Sequence, residues 1–346
     1  MTRSATAHAW FLTGPHSLEL RTLELGPLAD GWARVRFRFC GLCGSDMLQY
    51  EGRPEAGYPV SIGHEFVADV MDTGRGVEHI KRGDVVTSDL NYRCGACDQC
   101  RAGRSHLCRR GQVGLFSNRG FADVGDLDAG YLVPIASPAR PSLALAEPLS
   151  CVQHGRAWAN PQPHERVLVV GAGSLGLCLA FALCHGSPGV RFDITDEHPA
   201  RLADIGDVVE PLGRSIPEPD GEYDVVFDLS GTDDGLRKAC DHAKAGARVC
   251  SLSHMASDTP APWLASALVH RDITFTVSYL NGERETLAAA ADLLARAWDH
   301  RWEARLEVLP LDQLPRAFAD RRVSPHCKTV MAVAPPSHAH QDASAA

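Results

Sequence analysis

The chain has 346 residues, 45% hydrophobic and 22% charged, a balance that predicts a globular protein of two ordinary domains. Its formal net charge of -9 argues against a nucleic-acid partner, because a phosphate backbone calls for clustered Lys and Arg. Met1–Trp10 lacks the apolar core of a signal peptide, and the apolar run Leu175–Cys184 falls well short of the roughly 20 residues that span a bilayer, so no membrane association and a cytoplasmic location are expected.

In chain order, His8–Leu12, Ala33–Phe39, Val67–Met71 and Asp84–Thr87 read as short strands, and the first 140 residues look β-rich. Glu147-Pro148 opens a helix through Trp158, with proline at a tolerated first-turn position. From Arg166 the character changes. Val167–Val170, Val190–Ile194, Tyr223–Asp228, Ala247–Ser251 and Ile273–Val277 read as strands that alternate with helices, which implies a parallel, doubly wound α/β sheet. A helix over Glu285–Trp298 leads to Leu306–Leu309 and Thr329–Val333, which return to the first domain. The expected division is residues 1–151 with 281–334 in one domain, 152–280 in the other, and a disordered tail over 335–346 rich in Ser, His and Ala.

The 12 cysteines do not read as a disulfide framework in a reducing compartment; metal ligation or plain burial fits better. Cys94, Cys97, Cys100 and Cys108 form C-x2-C-x2-C-x7-C in a polar loop. Two-residue gaps let successive sulfurs converge on one ion, and four thiolates make a closed, structural zinc site. A ferredoxin-type cluster would continue with x3-C-P, whereas here the gap is seven and Arg109 follows.

A second ligand set is dispersed: Cys43 in Gly-Leu-Cys-Gly-Ser-Asp, His64 and Glu65 after Gly63, and Glu147. Singly, each is more often a packed thiol, a core histidine or a helix-start carboxylate. Together they offer thiolate, imidazole and carboxylate and leave a position open, as catalytic zinc requires. Cys43 and Glu147 balance the charge of the ion, and Glu65 is a second carboxylate that either replaces Glu147 or acts through water. The choice between the two carboxylates stays open at this level.

Val167–Val170 is followed by Gly171, Gly173, Ser174, Leu175 and Gly176 in G-x-G-x-x-G, then by an apolar helix. That context makes the pattern a dinucleotide site, with the pyrophosphate against the helix N-terminus. Asp196 stands twenty residues on, at the end of the next strand, where a carboxylate binds the adenine ribose and repels a 2′-phosphate. Arg201 is expected to lie over the adenine. NAD is therefore favoured over NADP.

These three features in this order, over roughly residues 8–333, resemble the zinc-containing medium-chain dehydrogenase/reductase superfamily. The resemblance implies a GroES-like catalytic domain, a Rossmann domain, two zinc ions per chain, and hydride transfer between an alcohol and a nicotinamide cofactor. It assigns Cys43, His64 and Glu147 to catalytic zinc, the four-cysteine loop to structural zinc, and Ser45 to the alcohol proton. Glu at the third ligand position looks like the polyol, threonine and sugar dehydrogenase branches. Asp126–Pro134 and Tyr279-Leu280-Asn281-Gly282 look most like the glucose branch, where an Asn reaches sugar hydroxyls; Asn281, Glu65 and Ser45 are then the expected substrate contacts. Leu48 replaces a relay histidine, and the acidic groups that branch carries near Leu115 and Cys151 are absent. A sugar, polyol or cyclitol is the expected substrate, an amino alcohol of the threonine type the alternative, and a non-catalytic NAD-binding scaffold the reading from another class. The expected assembly is a homodimer or homotetramer.

Overall fold

The computed structural model describes residues 5–53, 57–90, 93–110, 120–252, 262–320 and 326–333. The expected tail over 335–346 and the position near Leu115 lie outside them. Strand Trp32–Gly41 alternates as its sequence requires, burying Ala33, Val35 and Phe37 on one face, with the Phe37 ring edge-on to Phe66 at 5.0 Å. It is the hub of the first half. Strands Glu65–Thr73 and Lys328–Ala332 pair antiparallel with it, and Leu306–Pro310 runs parallel to the latter. The last strand thereby joins the sheet built on Trp32–Gly41, bringing Val330 opposite Gly41 while Gly41 lies opposite Glu65.

The second half is one parallel sheet of six strands, ordered Gly213–Ser215, Arg191–Thr195, Arg166–Val170, Tyr223–Asp228, Ala243–Ser251 and Thr274–Val277. The central strand Arg166–Val170 is apolar after its first residue and buried from Val167 onward, because helices cover both faces of such a sheet. The edge strand Gly213–Ser215 was not anticipated: three residues without periodicity carry no strand signal, and the pairing with Phe192–Ile194 creates it. Helix Ser174–Gly186 is buried continuously from Gly176 to Leu183. It packs with helix Ala146–Ala159, and one apolar core runs from Val67, Val133 and Ile135 through Leu149 and Val152 to Val169 and Phe181. Each such aliphatic side chain contributes about 1.5–3 kcal/mol on burial, so the two halves are held by a shared core rather than a flexible linker. Among the described residues no helix is long and apolar enough to cross a membrane. All twelve cysteines are free thiols.

Candidate metal centre and nucleotide site

Strand Trp32–Gly41 ends one residue before Leu42, and Cys43 caps the short helix Gly44–Tyr50. The backbone N–H of Cys43 donates to Asp46 Oδ2 at 2.9 Å, and the other Asp46 oxygen lies 3.5 Å from His64 Nδ1. One buried carboxylate therefore holds the cysteine turn and faces the histidine ring, the outer-shell arrangement that fixes an imidazole ligand. Ser45 Oγ is 3.5 Å from the other ring nitrogen, Nε2. Asp46 escaped the sequence reading, although its place three residues after Cys43 was a capping signal.

The ligand atoms of Cys43, His64 and Glu65 all lie within 4.8 Å of one another. Glu147 is not in that group. It opens helix Ala146–Ala159 and its Oε1 accepts from Cys151 Sγ at 3.2 Å. Glu65 is ion-paired with Lys328, both side chains being fully buried, and Lys328 Nζ also donates to the Leu42 carbonyl at 3.1 Å. Lys328 lies 263 positions from Glu65 in sequence, and its only signal was a lone cation in an apolar strand.

Charge is the test of whether a divalent ion fits. Ionised, Cys43, Asp46, Glu65 and Glu147 carry four negative charges against two on Lys328 and protonated His64, and a buried surplus of this kind is costly without a counter-ion. The strain is visible in the acids themselves. Burial, with the Glu65 carboxylate adding and His64 opposing, pushes Glu147 up to about 7. Burial works against charge on His64 too, but Asp46 and Cys43 outweigh it and hold the ring well above its ordinary range. A zinc ion, once bound, removes both penalties.

An acid raised on folding and a histidine raised on folding each favour the protonated folded state, so each stabilises at low pH and loses that stability as pH rises. Metal-free protein should therefore lose stability between about pH 4.5 and pH 7, on the order of 3 kcal/mol through Glu147. Urea midpoints of chelated protein across that range should fall with pH. The Glu147→Gln protein treated alike should lose much of the slope, and a flat profile in the chelated parent would refute the assignment.

The four-cysteine loop closes on itself. Its sulfurs all lie within 4.8 Å of one another, with Cys94 and Cys100 4.0 Å apart and Cys97 and Cys108 3.9 Å apart. A tetrahedral zinc with bonds of about 2.3 Å sets sulfurs roughly 3.8 Å apart, so the donor set fits. Backbone amides of Cys100 and Arg109 lower the Cys97 thiol to about 6, whereas desolvation and neighbouring thiols push Cys100 up to about 12. Four thiols this close do not ionise together without a cation.

At the nucleotide motif, strand Arg166–Val170 turns through the glycines into helix Ser174–Gly186. A Cβ at Gly176 would collide with the Gly171 carbonyl oxygen, which is why the third glycine is needed for the helix to close on the strand. Asp196 does more than end its strand: Oδ2 accepts from the Ala172 amide at 2.7 Å and Oδ1 from the His198 amide at 2.8 Å. It thereby holds the glycine turn. Arg201 Nη1 is 3.8 Å from Asp196 Oδ1.

A single cavity of about 560 Å³ joins the two features. Cys43, Ser45, His64, Glu65 and Glu147 line it, and so do Gly171, Gly173, Ser174, Leu175, Asp196 and Arg201. Leu48, Leu90 and Leu280 give its wall an apolar stretch. Asn281 is placed elsewhere than expected. It is fully buried and its Nδ2 donates to Asp89 Oδ1 at 3.1 Å, while the preceding Ser278, Tyr279 and Leu280 reach the cavity and it does not. The left-handed backbone at Leu280 and Gly282 turns this residue away, a conformation no local pattern announced.

Residues 29–137 match the family described as "Alcohol dehydrogenase GroES-like domain". The chain is 34% identical over 221 residues to D-altritol 5-dehydrogenase of Agrobacterium fabrum, covering 61% of this chain and 66% of that protein. It is 34% identical over 235 residues to sorbitol dehydrogenase of Halalkalibacterium halodurans, covering 62% and 68%. It is 30% identical over 298 residues to L-threonine 3-dehydrogenase of Streptomyces avermitilis, covering 80% and 84%. Its fold matches the short chain alcohol dehydrogenase rspB of Escherichia coli CFT073, solved with NADH, at a TM-score of 0.83, 21% identity, and 95% and 100% coverage.

Proposed function

Since the chain belongs to the zinc-containing medium-chain dehydrogenase/reductase superfamily, we propose that it oxidises a secondary or anomeric hydroxyl of a sugar, polyol or cyclitol and passes the hydride to NAD. The observation that carries the reading is the single cavity lined both by the Cys43, His64, Glu65 and Glu147 set and by the glycine turn. The likeness to altritol and sorbitol dehydrogenases supports a polyol. We take residues 152–280 as the nucleotide-binding unit and residues 1–151 with 281–334 as the catalytic unit.

Cys43, His64 and Glu65 would hold a catalytic zinc, with Glu147 lining the same cavity. When bound, zinc supplies the Lewis acidity that lets a hydroxyl ionise near neutral pH. Asp46 keeps the His64 ring in its ligating orientation, and Lys328 fixes the Glu65 carboxylate through a buried ion pair. Ser45 Oγ takes the hydroxyl proton while handing its own to water in the cavity, because Leu48 does not titrate and carries it no further. Leu48, Leu90 and Leu280 keep water from the reacting centre. Cys94, Cys97, Cys100 and Cys108 would hold a structural zinc. Assembly is expected as a homodimer or homotetramer in the cytoplasm, for which the sheet edge Thr274–Val277 and the exposed Val277 and Tyr279 offer a surface.

The test is NADH absorbance on a panel of polyols, aldoses, cyclitols and amino alcohols. Turnover confined to L-threonine and its relatives would replace the polyol reading, and turnover of none with zinc and NAD bound would replace the enzyme by a scaffold. Cofactor choice is read in the same assay. With Asp196 at the strand end, kcat/KM for NAD should exceed that for NADP by at least roughly tenfold, about 1.4 kcal/mol. Asp196→Asn should narrow the gap, since it keeps an acceptor for the Ala172 amide but loses the charge. Equal use of both cofactors by the unmodified protein would contradict the assignment.

A further inference from the structure

The four-cysteine lobe is not a free appendage. Ser105, between Cys100 and Cys108, offers its backbone amide to Glu283 Oε1 at 2.7 Å, and its hydroxyl donates to Glu283 Oε2. Arg93, next to Cys94, donates from Nε to Ser105 Oγ and from Nη2 to the Gly282 carbonyl, each at 2.6 Å. Its remaining nitrogen pairs with the buried Asp89, which in turn accepts from Asn281. Three consecutive residues, Asn281, Gly282 and Glu283, are therefore tied to the metal-binding lobe and the strand that leads into it.

The opposite side of the same segment rests on helix Ala146–Ala159. His154 accepts from Trp158 Nε1 at 2.9 Å through Nε2, so its proton is on Nδ1, which faces the Leu280 carbonyl at 3.4 Å and Ser278 Oγ at 3.3 Å. The ring of His106 from the lobe meets the His154 ring edge-on at 4.7 Å. Leu280 and Gly282 are both left-handed, with φ of 58° and 64°, and a Cβ at Gly282 would lie 3.1 Å from the His154 ring. A non-glycine residue at positive φ persists only where its surroundings over-determine it. The segment thus has a shape imposed from two sides, and Ser278, Tyr279 and Leu280 present that shape to the cavity.

We propose that Glu283 is a positioning residue, the clamp through which the metal-ordered four-cysteine lobe sets the placement of the Ser278–Leu280 wall against the cofactor and substrate. The inference rests on reading the cavity as a dinucleotide and alcohol site. It gives the lobe a role in cofactor affinity as well as in stability. The polar ties have no other evident purpose: a lobe needed only for folding would be anchored as well by apolar packing, whereas a carboxylate taking two bonds from one serine fixes position and direction.

Amide hydrogen exchange on the full-length protein, read beside NADH affinity by fluorescence titration, tests this. Glu283→Ala should speed exchange over residues 278–283 and weaken NADH binding roughly tenfold, within the loss that a misplacement of order 1 Å brings. Both zinc ions should remain, and KM for NAD should rise by more than kcat falls. Glu283→Gln, whose carbonyl oxygen still accepts from the Ser105 amide, should restore most of both readouts. Ser105→Ala removes the hydroxyl's bonds to Glu283 and Arg93 but keeps the backbone amide's bond to Glu283 Oε1, and serves if Glu283→Ala does not fold. A lower melting temperature with unchanged exchange over 278–283, or with unchanged NADH affinity, would make the clamp merely stabilising and overturn the proposal. If the unmodified protein binds no NADH, it is the reading of the cavity that falls, and the exchange measurement still decides the coupling.

Discussion

Replacing Cys43 with serine should cost at least roughly 10⁴-fold in kcat, because the several kcal/mol of charge stabilisation that a catalytic metal supplies convert at about 1.4 kcal/mol per decade. The protein should stay folded. Cys43 caps a helix of only seven residues, and the turn is held by the Asp46 carboxylate on its backbone amide, a bond that serine leaves in place. Zinc content should fall from two to one per chain, since a serine hydroxyl is a far poorer ligand than a thiolate at neutral pH. Elemental analysis with circular dichroism checks all three statements. Full activity in the Cys43→Ser protein, or loss of both zinc ions together, would remove the cysteine from the proposed centre.

Cys97→Ser should act in the opposite manner, through stability first. The site is closed, so its metal contributes folding energy; structural zinc in small peptides is worth about 10–16 kcal/mol in apparent binding. Only the lobe depends on it here, and the shared apolar core persists, so the expected result is a local loss. A melting temperature lower by on the order of 10 °C and a reduced soluble yield are expected. Because Ser105 and Arg93 flank the ligands and hold Gly282 and Glu283, the surviving protein should also bind NADH more weakly. Calorimetry and metal analysis are the measurements. A coloured, iron-containing protein, or an unchanged melting temperature with the lobe metal lost, would refute the structural assignment.

Short-range chemistry was legible in the amino-acid sequence. The four cysteines reveal themselves because a metal loop needs its donors close in the chain, and the structure brings their sulfurs together. The glycine turn is legible because strand, turn and helix follow one another locally, and the parallel character of the sheet around Arg166–Val170 follows from the alternation of strands and helices. Cys43, His64, Glu65 and Glu147 could be gathered as ligand types, with the choice between the two carboxylates left open.

What only the tertiary structure decided is which groups meet across the fold. Glu65 rather than Glu147 joins Cys43 and His64 in the tight donor group, because Glu65 starts a strand beside Gly41 whereas Glu147 starts a helix and turns to Cys151. Lys328 reaches Glu65 only because the last strand pairs with Trp32–Gly41, a register fixed by long-range hydrogen bonds and invisible to any local pattern. Asn281 looked like a substrate contact from its neighbours in sequence. Two left-handed residues beside it rotate its side chain onto Asp89 instead, and that rotation is imposed by His154 and Arg93, which come from distant parts of the chain. Local periodicity and spacing specify elements and clustered ligands, because those interactions span a few residues. The partner of a buried charge is specified by the packing of the whole, because in a low-dielectric interior the nearest opposite charge matters more than the nearest in sequence.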